Sequence, residues 1–397
     1  MEVPVSVNTW IGCEVGDAVT IAKQAGQIAT LFADFVGKTQ RSLHIAIYDF
    51  RLDPGQGTVV IGALNALAAR GLDVRVAYFQ QPPNKNTNKD GGDPSPGTKA
   101  SDFNNFNPKI AVKAIKGIDV GSLPRGVKKE PIEGGGHLMH SKYMVRDGES
   151  VWTGSANFTT DAWSVQDNNV VQLTSPEIAT CYETDFGDLW STGRIAGTGK
   201  NDLGNANVGG FELDVAFSPG DGSTVEKEIA GAIAGAQKSV RIASMVISSG
   251  AILGALIDAI DRGVTLSGVY DGPEMKVVLA DWAKGGKSAG KATQWAKIKT
   301  KLVPKWSIPY TPSGPHNFMH NKLAAVDGKL AVTGSFNFSQ NATHNAENLL
   351  TLRDPVLVSQ YSKYVDQLVA TYTGDRPARA ALQKTRKAKT GRKTGRR

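Results

Sequence analysis

His140-Ser141-Lys142-Tyr143-Met144-Val145-Arg146-Asp147 leads into Val151-Trp152-Thr153-Gly154-Ser155-Ala156-Asn157-Phe158. The pattern returns 180 residues later as His320-Asn321-Lys322-Leu323-Ala324-Ala325-Val326-Asp327 and Ala331-Val332-Thr333-Gly334-Ser335-Phe336-Asn337-Phe338. Read without a gap, the same register carries on to pair Asp167 with Glu347. So many matched polar positions do not arise by chance, and the chain is read as an internal repeat. Apolar residues around each His-x-Lys predict a strand, which puts His140 and Lys142 on one face and His320 and Lys322 on another. Asp147-Gly148 and Asp327-Gly328 are hairpin-turn dipeptides, so a second strand returns and delivers Gly-Ser-x-Asn beside the His-x-Lys end. Gly154 and Gly334 are read as places where a ligand approaches the backbone closely.

The repeat extends outward. Ser42-Leu43-His44-Ile45-Ala46-Ile47 matches Ser239-Val240-Arg241-Ile242-Ala243-Ser244, and Gly62-Ala63-Leu64 to Arg70-Gly71 matches Gly254-Ala255-Leu256 to Arg262-Gly263. Each block sits in a helix–strand–helix–strand order, which predicts an α/β fold present twice. The expected division is 1–195, 196–372 and a basic, unstructured tail at 373–397. The polar stretch Gln80 to Asn107 reads as a long exposed loop. Lys276 to Lys305 is lysine-rich with Trp282, Trp295 and Trp306 in or beside it. It reads either as an amphipathic helix with Trp in the core or as a basic–aromatic groove.

The chain has 397 residues, 40% of them apolar and 21% charged, enough to build more than one core. Two cysteines, Cys13 and Cys181, exclude a disulfide scaffold and a Cys-rich zinc module, and whether they pair is left open. No apolar run is long enough for a membrane-spanning helix. The N-terminus lacks the pattern of a secretion signal, so a cytoplasmic protein is expected if Met1 is the natural start and a secreted one if a signal was trimmed. The net charge of +8 is a property of the tail: Arg376 to Arg397 holds ten Lys or Arg and no acid, leaving −2 for the rest. Such a segment suits a polyanion, either nucleic acid or an anionic phospholipid surface.

Each half therefore offers an imidazole, an ammonium, a hydroxyl and a carboxamide. Imidazole serves as nucleophile or acid–base group near neutral pH. Lysine and asparagine stabilise oxyanions, and the pattern suits transfer at a phosphoryl centre. No carboxylate or thiolate cage for a metal is legible. His137 and His316, which precede the motifs, find no convincing third and fourth ligand, so no metal and no cofactor are expected. His44 is read as structural and His344 as a loop histidine. One half supplies one histidine; two facing halves supply both a nucleophile and an acid.

These motifs resemble the duplicated HxKxxxxDxxxxxxGSxN motifs of the phospholipase D superfamily, and the similarity extends over most of residues 25–370. The GSxN-Phe-Thr/Ser form looks like that of its compact bacterial nucleases. The resemblance implies a pseudo-twofold pair of α/β/α repeats with one active site at their interface, complete on a single chain and so functional as a monomer. It implies His140 as nucleophile and His320 as general acid, with Lys142 and Lys322 on the phosphate. Asp147 and Asp327 complete the motif, although the Asp-Gly turn already accounts for them. Ser155, Asn157, Ser335 and Asn337 would bind phosphate oxygens, and Asp167 and Glu347 would orient the histidines. The implied activity is metal-independent phosphodiester hydrolysis through a phosphohistidine. A nuclease on DNA or RNA is the leading expectation. A phospholipase D hydrolysing or exchanging lipid head groups is the alternative, and a non-catalytic polyanion-binding scaffold the second alternative.

Overall fold

The computed structural model describes residues 6–12, 18–80, 118–200, 204–285, 288–308 and 316–391. The stretch 81–107 and Cys13 lie outside the described residues. The first half runs β1 (Ser6–Gly12), α1 (Ala18–Gly37), β2 (Ser42–Ile47), β3 (Phe50–Leu52), α2 (Pro54–Ala69), β4 (Asp73–Gln80), β5 (Ile118–Asp119) and β6 (Lys128–Glu133). The hairpin β7 (Lys142–Arg146) and β8 (Ser150–Gly154) follows, then β9 (Phe158–Thr159), α3 (Thr160–Ser164), β10 (Asn168–Thr174) and α4 (Pro176–Thr192). The second half begins with β11 (Gly204–Val208), β12 (Phe211–Ser218), α5 (Gly222–Ala234), β13 (Ser239–Ser244), α6 (Gly250–Asp261) and β14 (Thr265–Asp271). It continues through α7 (Gly272–Trp282), α8 (Ala289–Ile298), β15 (Val303–Lys305), the hairpin β16 (Lys322–Val326) and β17 (Leu330–Gly334), β18 (Glu347–Leu352) and α9 (Pro355–Gly391).

The duplication is visible in the sheets. One is ordered β1-β10-β8-β7-β2-β4-β6; the other, after an extra edge strand β11, is β12-β18-β17-β16-β13-β14-β15. In both, a parallel βαβ pair (β2–β4, β13–β14) lies against an antiparallel hairpin. Burial divides into three cores. Phe32, Leu43, Val60, Leu64 and Trp152 form one between the first sheet and α1 and α2. Val225, Ile229, Val240, Leu253 and Leu256 form its counterpart. The third is shared: Tyr143, Val151, Tyr182 and Phe186 pack with Phe217, Leu323, Leu350, Tyr361 and Leu368. Loss of this apolar surface from water is what joins the halves.

Details set the site. Asp147 and Gly148 (φ 59° and 66°), like Asp327 and Gly328 (54° and 67°), take the left-handed conformations of the turns expected from Asp-Gly. Gly154 and Gly334 sit at φ 143° and 146°, where a Cβ would lie 2.3 Å from the carbonyl oxygens of Asn169 and Asn348. Glycine is required there by the neighbouring strand, not by a ligand as the sequence suggested. Trp282 and Trp295 are buried, so they do not line an exposed basic–aromatic groove. Trp306 is exposed beside the Lys276 ammonium. The α9 backbone stays helical through Gly391, into the segment expected to be unstructured; its Ala, Leu, Gln, Lys and Arg content favours helix.

Candidate active site

Both histidines stand just before their hairpins, two residues ahead of the first residue of β7 or β16, rather than within the strands. There the segments leave their own sheets and bond across the molecule. His140 N donates to Ala346 O (2.8 Å) and Ala346 N to Leu138 O (2.8 Å). In mirror fashion His320 N donates to Asp167 O and Asp167 N to Phe318 O, each 3.0 Å. Side chains repeat the exchange: Thr153 Oγ1 donates to Asn348 Oδ1 and Thr333 Oγ1 to Asn169 Oδ1, both at 2.8 Å. Each half thus holds the other's histidine segment. The two rings line one cleft enclosing about 570 Å³, open solvent included.

His140, Lys142, His320 and Lys322 are buried. Each lysine Nζ donates to the carbonyl of its motif histidine at 2.6 Å, which fixes it beside the ring. Burial, then the charges of Lys142 and Lys322, push the His140 imidazole well below its ordinary value. His320 shifts the same way from burial, Lys322, Lys142 and His140. Both rings are thereby biased toward the uncharged form beside two ammoniums, a setting suited to a neutral nucleophile and to an incoming anion, whose negative charge offsets that bias. Tyr48 packs its ring edge-on to His140, centroids 4.8 Å apart. Asn157 and Asn337 each keep a buried Oδ1 without a hydrogen-bond partner.

His140 Nδ1 lies 2.7 Å from Glu347 Oε2. Burial raises the Glu347 carboxyl above its ordinary value, while Lys142 and hydrogen bonds from Ser335 and Asn345 oppose the rise and favour the carboxylate, so that the proton of this pair is held on or toward the ring. The expected partner of His320, Asp167, is not in that position. Its carboxylate pairs with Lys305 Nζ at 2.9 Å and accepts from Tyr372 Oη at 2.8 Å, while Asn168 Oδ1 stands 2.9 Å from His320 Nδ1. The gapless register fails here. Gly154 pairs with Val170 and Gly334 with Leu349, so Asn168 corresponds to Glu347 and Asp167 to Ala346. The first copy has one more residue in the link that forms α3, where the second forms a 3-10 turn at Gln340–His344. Aligning the apolar run Val170-Val171 with Leu349-Leu350 would have exposed the slip.

Other motif residues act elsewhere. The Asp147 carboxylate accepts from the N–H groups of Gln40, Arg41 and Ser42, and Asp327 from those of Gln237, Lys238 and Ser239. They sit at the far end of the hairpins and tie the turn to the start of the central strand, so they are not beside the reacting groups. Ser155 and Ser335 serve the orienting residues: Ser155 Oγ donates to Asn168 Oδ1 at 2.8 Å, and the Ser335 side chain, which also accepts from Asn348 N at 2.9 Å, hydrogen-bonds the Glu347 carboxyl group. Sequence reasoning missed Asn168, the buried Lys305, and Asp271, whose Oδ2 accepts from Met319 N directly before His320. His316 lines the cleft with its Nδ1 3.3 Å from Asp161. His137 packs against His344, the rings tilted by 36° with centroids 5.3 Å apart, and neither is among the residues lining the cleft. His44 is paired with Glu183 at 2.6 Å, the structural role expected.

Comparison with known proteins agrees with this geometry. The family described as "Cardiolipin synthase, PLD-like domain" matches residues 33–190 and 229–369. A phospholipase D of Rickettsia bellii is 30% identical over 183 residues, 45% of this chain and 81% of that protein. A mitochondrial cardiolipin hydrolase of Chlamydomonas reinhardtii is 43% identical over 51 residues, 13% of this chain and 23% of that protein. The crystal structure of phosphatidylserine synthase from Haemophilus influenzae superposes with a TM-score of 0.57 at 13% identity, covering 88% of this chain and 86% of that one. With two matching segments, two equivalent sheets and paired His-x-Lys motifs at one cleft, the chain belongs to the phospholipase D superfamily of phosphodiesterases, its PLD-like domain present twice.

Proposed function

We propose that the protein cleaves phosphodiesters without a metal, through a covalent phosphohistidine on His140. Nε2 of His140 attacks phosphorus; the bond to the leaving alcohol oxygen breaks, and His320, protonated to the imidazolium as the phosphodiester anion binds, gives its Nε2 proton to that oxygen. Water then attacks as His320 takes its proton, the N–P bond breaks, and a phosphomonoester leaves. Lys142, Lys322, Asn157 and Asn337 stabilise charge on the non-bridging oxygens. The observation carrying this reading is that both buried histidines, one from each half and each beside a buried lysine, line one cleft. Expected are turnover that persists in excess EDTA and a loss of about 10³–10⁶-fold in His140→Ala. Radiolabelled substrate should leave label on wild-type enzyme denatured at alkaline pH. Loss of turnover on chelation, or no trapped label, rejects the route.

For the substrate, the walls of the cleft favour a phospholipid over a nucleic acid strand. Asp49, Asp161 and Glu274 line it, and Arg51 is paired with Asp49 at 2.6 Å. Carboxylates there disfavour a second phosphate following the first. The relatives named phospholipase D support the same direction. The nuclease expected from sequence remains the second reading, favoured by ten basic residues in the C-terminal 22. Parallel assays on phosphatidylcholine vesicles, cardiolipin vesicles, single- and double-stranded DNA, and RNA, each with the His140→Ala control, decide between them. Turnover of nucleic acid alone reverses the order.

A further inference from the structure

The internal repeat compares each histidine with its counterpart, and the two differ in what stands behind the ring. Glu347 backs His140; Asn168, at the equivalent register of β10, backs His320. The orientation of the Asn168 amide is fixed by its other bonds. Its Nδ2 donates to the Ala162 carbonyl (3.1 Å) and to Gln166 Oε1 (3.3 Å), and its Oδ1 accepts from Ser155 Oγ. Oδ1 is therefore the atom facing His320. An amide oxygen only accepts, so Nδ1 of His320 carries the hydrogen and proton exchange is left to Nε2.

A carboxylate would fix the same tautomer and also stabilise an imidazolium; an amide gives the tautomer without the counter-charge. Among the described residues no carboxylate on the orienting side restores it, and the Ser155 backbone, which favours the charged ring by a hydrogen bond, carries no full charge. Asp167, the neighbour of Asn168, is neutralised by Lys305. Lys322 at the start of β16, Lys142 at the start of β7 and the ring of His140 all oppose positive charge on His320. Asp161, Glu274 and His316 line the wider cleft.

We propose that Asn168 is a positioning residue that breaks the equivalence of the two histidines, committing His320 to handing its proton to the leaving oxygen and leaving attack on phosphorus to the carboxylate-backed His140. A ring without a counter-charge releases its proton readily. A ring backed by a carboxylate attacks more strongly and tolerates the positive phosphoimidazolium that attack creates. The division of roles rests on the phosphohistidine reading above.

The test uses full-length protein and bis(p-nitrophenyl) phosphate, whose leaving group departs without an acid. The burst of p-nitrophenol then reports attack by His140, and steady-state turnover reports water activation by His320. In Asn168→Asp the acidic limb of turnover should move to higher pH by at least about one unit, a tenfold lower relative rate on that limb, with the pH dependence of the burst unmoved. Glu347→Gln should instead slow the burst at least about tenfold. A superposable turnover profile in Asn168→Asp, or a shift of the burst instead, overturns the proposal. Independently of any variant at position 168, ¹⁵N-histidine NMR of the wild type, assigned with His320→Gln and followed across a pH titration, should show hydrogen on Nδ1 of His320 throughout, the ring taking the Nδ1–H tautomer wherever it is neutral. A neutral ring with its hydrogen on Nε2 overturns it as well. A wild type that turns over without any burst or trapped label instead rejects the phosphohistidine reading, and the division of roles with it, while the NMR result still decides whether Asn168 sets the tautomer.

Discussion

Lys305 and Asp167 show how far one side chain can act from the chemistry. Both are buried, joined at 2.9 Å, and Tyr372 of α9 donates to the same carboxylate. Asp167 is also the residue whose backbone pairs with Phe318 and His320, so its position decides where the second histidine segment lies. Removing one partner of such a pair strands a charge away from water, which costs more than the intact pair contributes. Lys305→Met is expected to lower unfolding stability by about 3–5 kcal/mol in a denaturant titration. A change below about 1 kcal/mol would mean that water reaches the carboxylate. The residue types of the histidines, lysines and asparagines were legible because they repeat. The partner of His320 was not, because an equal spacing pointed at Asp167 while the strand register selected Asn168.

At the scale of elements, the carboxyl group of Asp271 joins three segments. It caps α7 through Glu274 N (3.2 Å), accepts from Ser307 Oγ (2.8 Å), and holds Met319 N (2.9 Å) ahead of His320. Burial raises it from 3.8 to about 6 in spite of these bonds. The folded state therefore binds this proton more tightly than the unfolded chain does. The associated stabilisation is complete below about pH 4 and is lost as pH rises through about 6, by an amount on the order of 3 kcal/mol. Asp271→Asn should flatten the decline in melting temperature across that window and cut turnover; an unchanged slope would place the titration elsewhere. The hairpin glycines make a second case. Gly154→Ala drives a Cβ against the Asn169 carbonyl at a φ that L-residues avoid, an expected loss of at least about 2 kcal/mol. Gly187, exposed in the middle of α4 with open space around it, should tolerate alanine and gain about 0.5–1 kcal/mol. Equal denaturant midpoints for the two variants would contradict the packing argument.

Over the whole molecule, the shared core and the crossed histidine segments make the two halves one catalytic unit, while the basic C-terminus follows Tyr372 and adds charge. Among the described residues no helix is long and apolar enough to cross a membrane. Deleting Arg376 to Arg397 keeps Tyr372 and removes ten positive charges. It should weaken salt-sensitive binding to anionic vesicles or DNA by about tenfold or more at low salt, while turnover of a small diester stays within about twofold. Equal binding by both forms would show that the segment is not a tether. The sequence alone determined the duplication, the α/β class, the Asp-Gly hairpins and the paired His-x-Lys and Gly-Ser-x-Asn groups, because local periodicity, turn chemistry and repetition are written along the chain. Only the tertiary structure decided that each half holds the other's histidine, that Glu347 and Asn168 stand behind the two rings, that Asp147 and Asp327 serve the turns, and that Asp167 belongs to Lys305. Those outcomes depend on strand register and on which buried charges find partners across the interface, and both are settled when separate segments pack together.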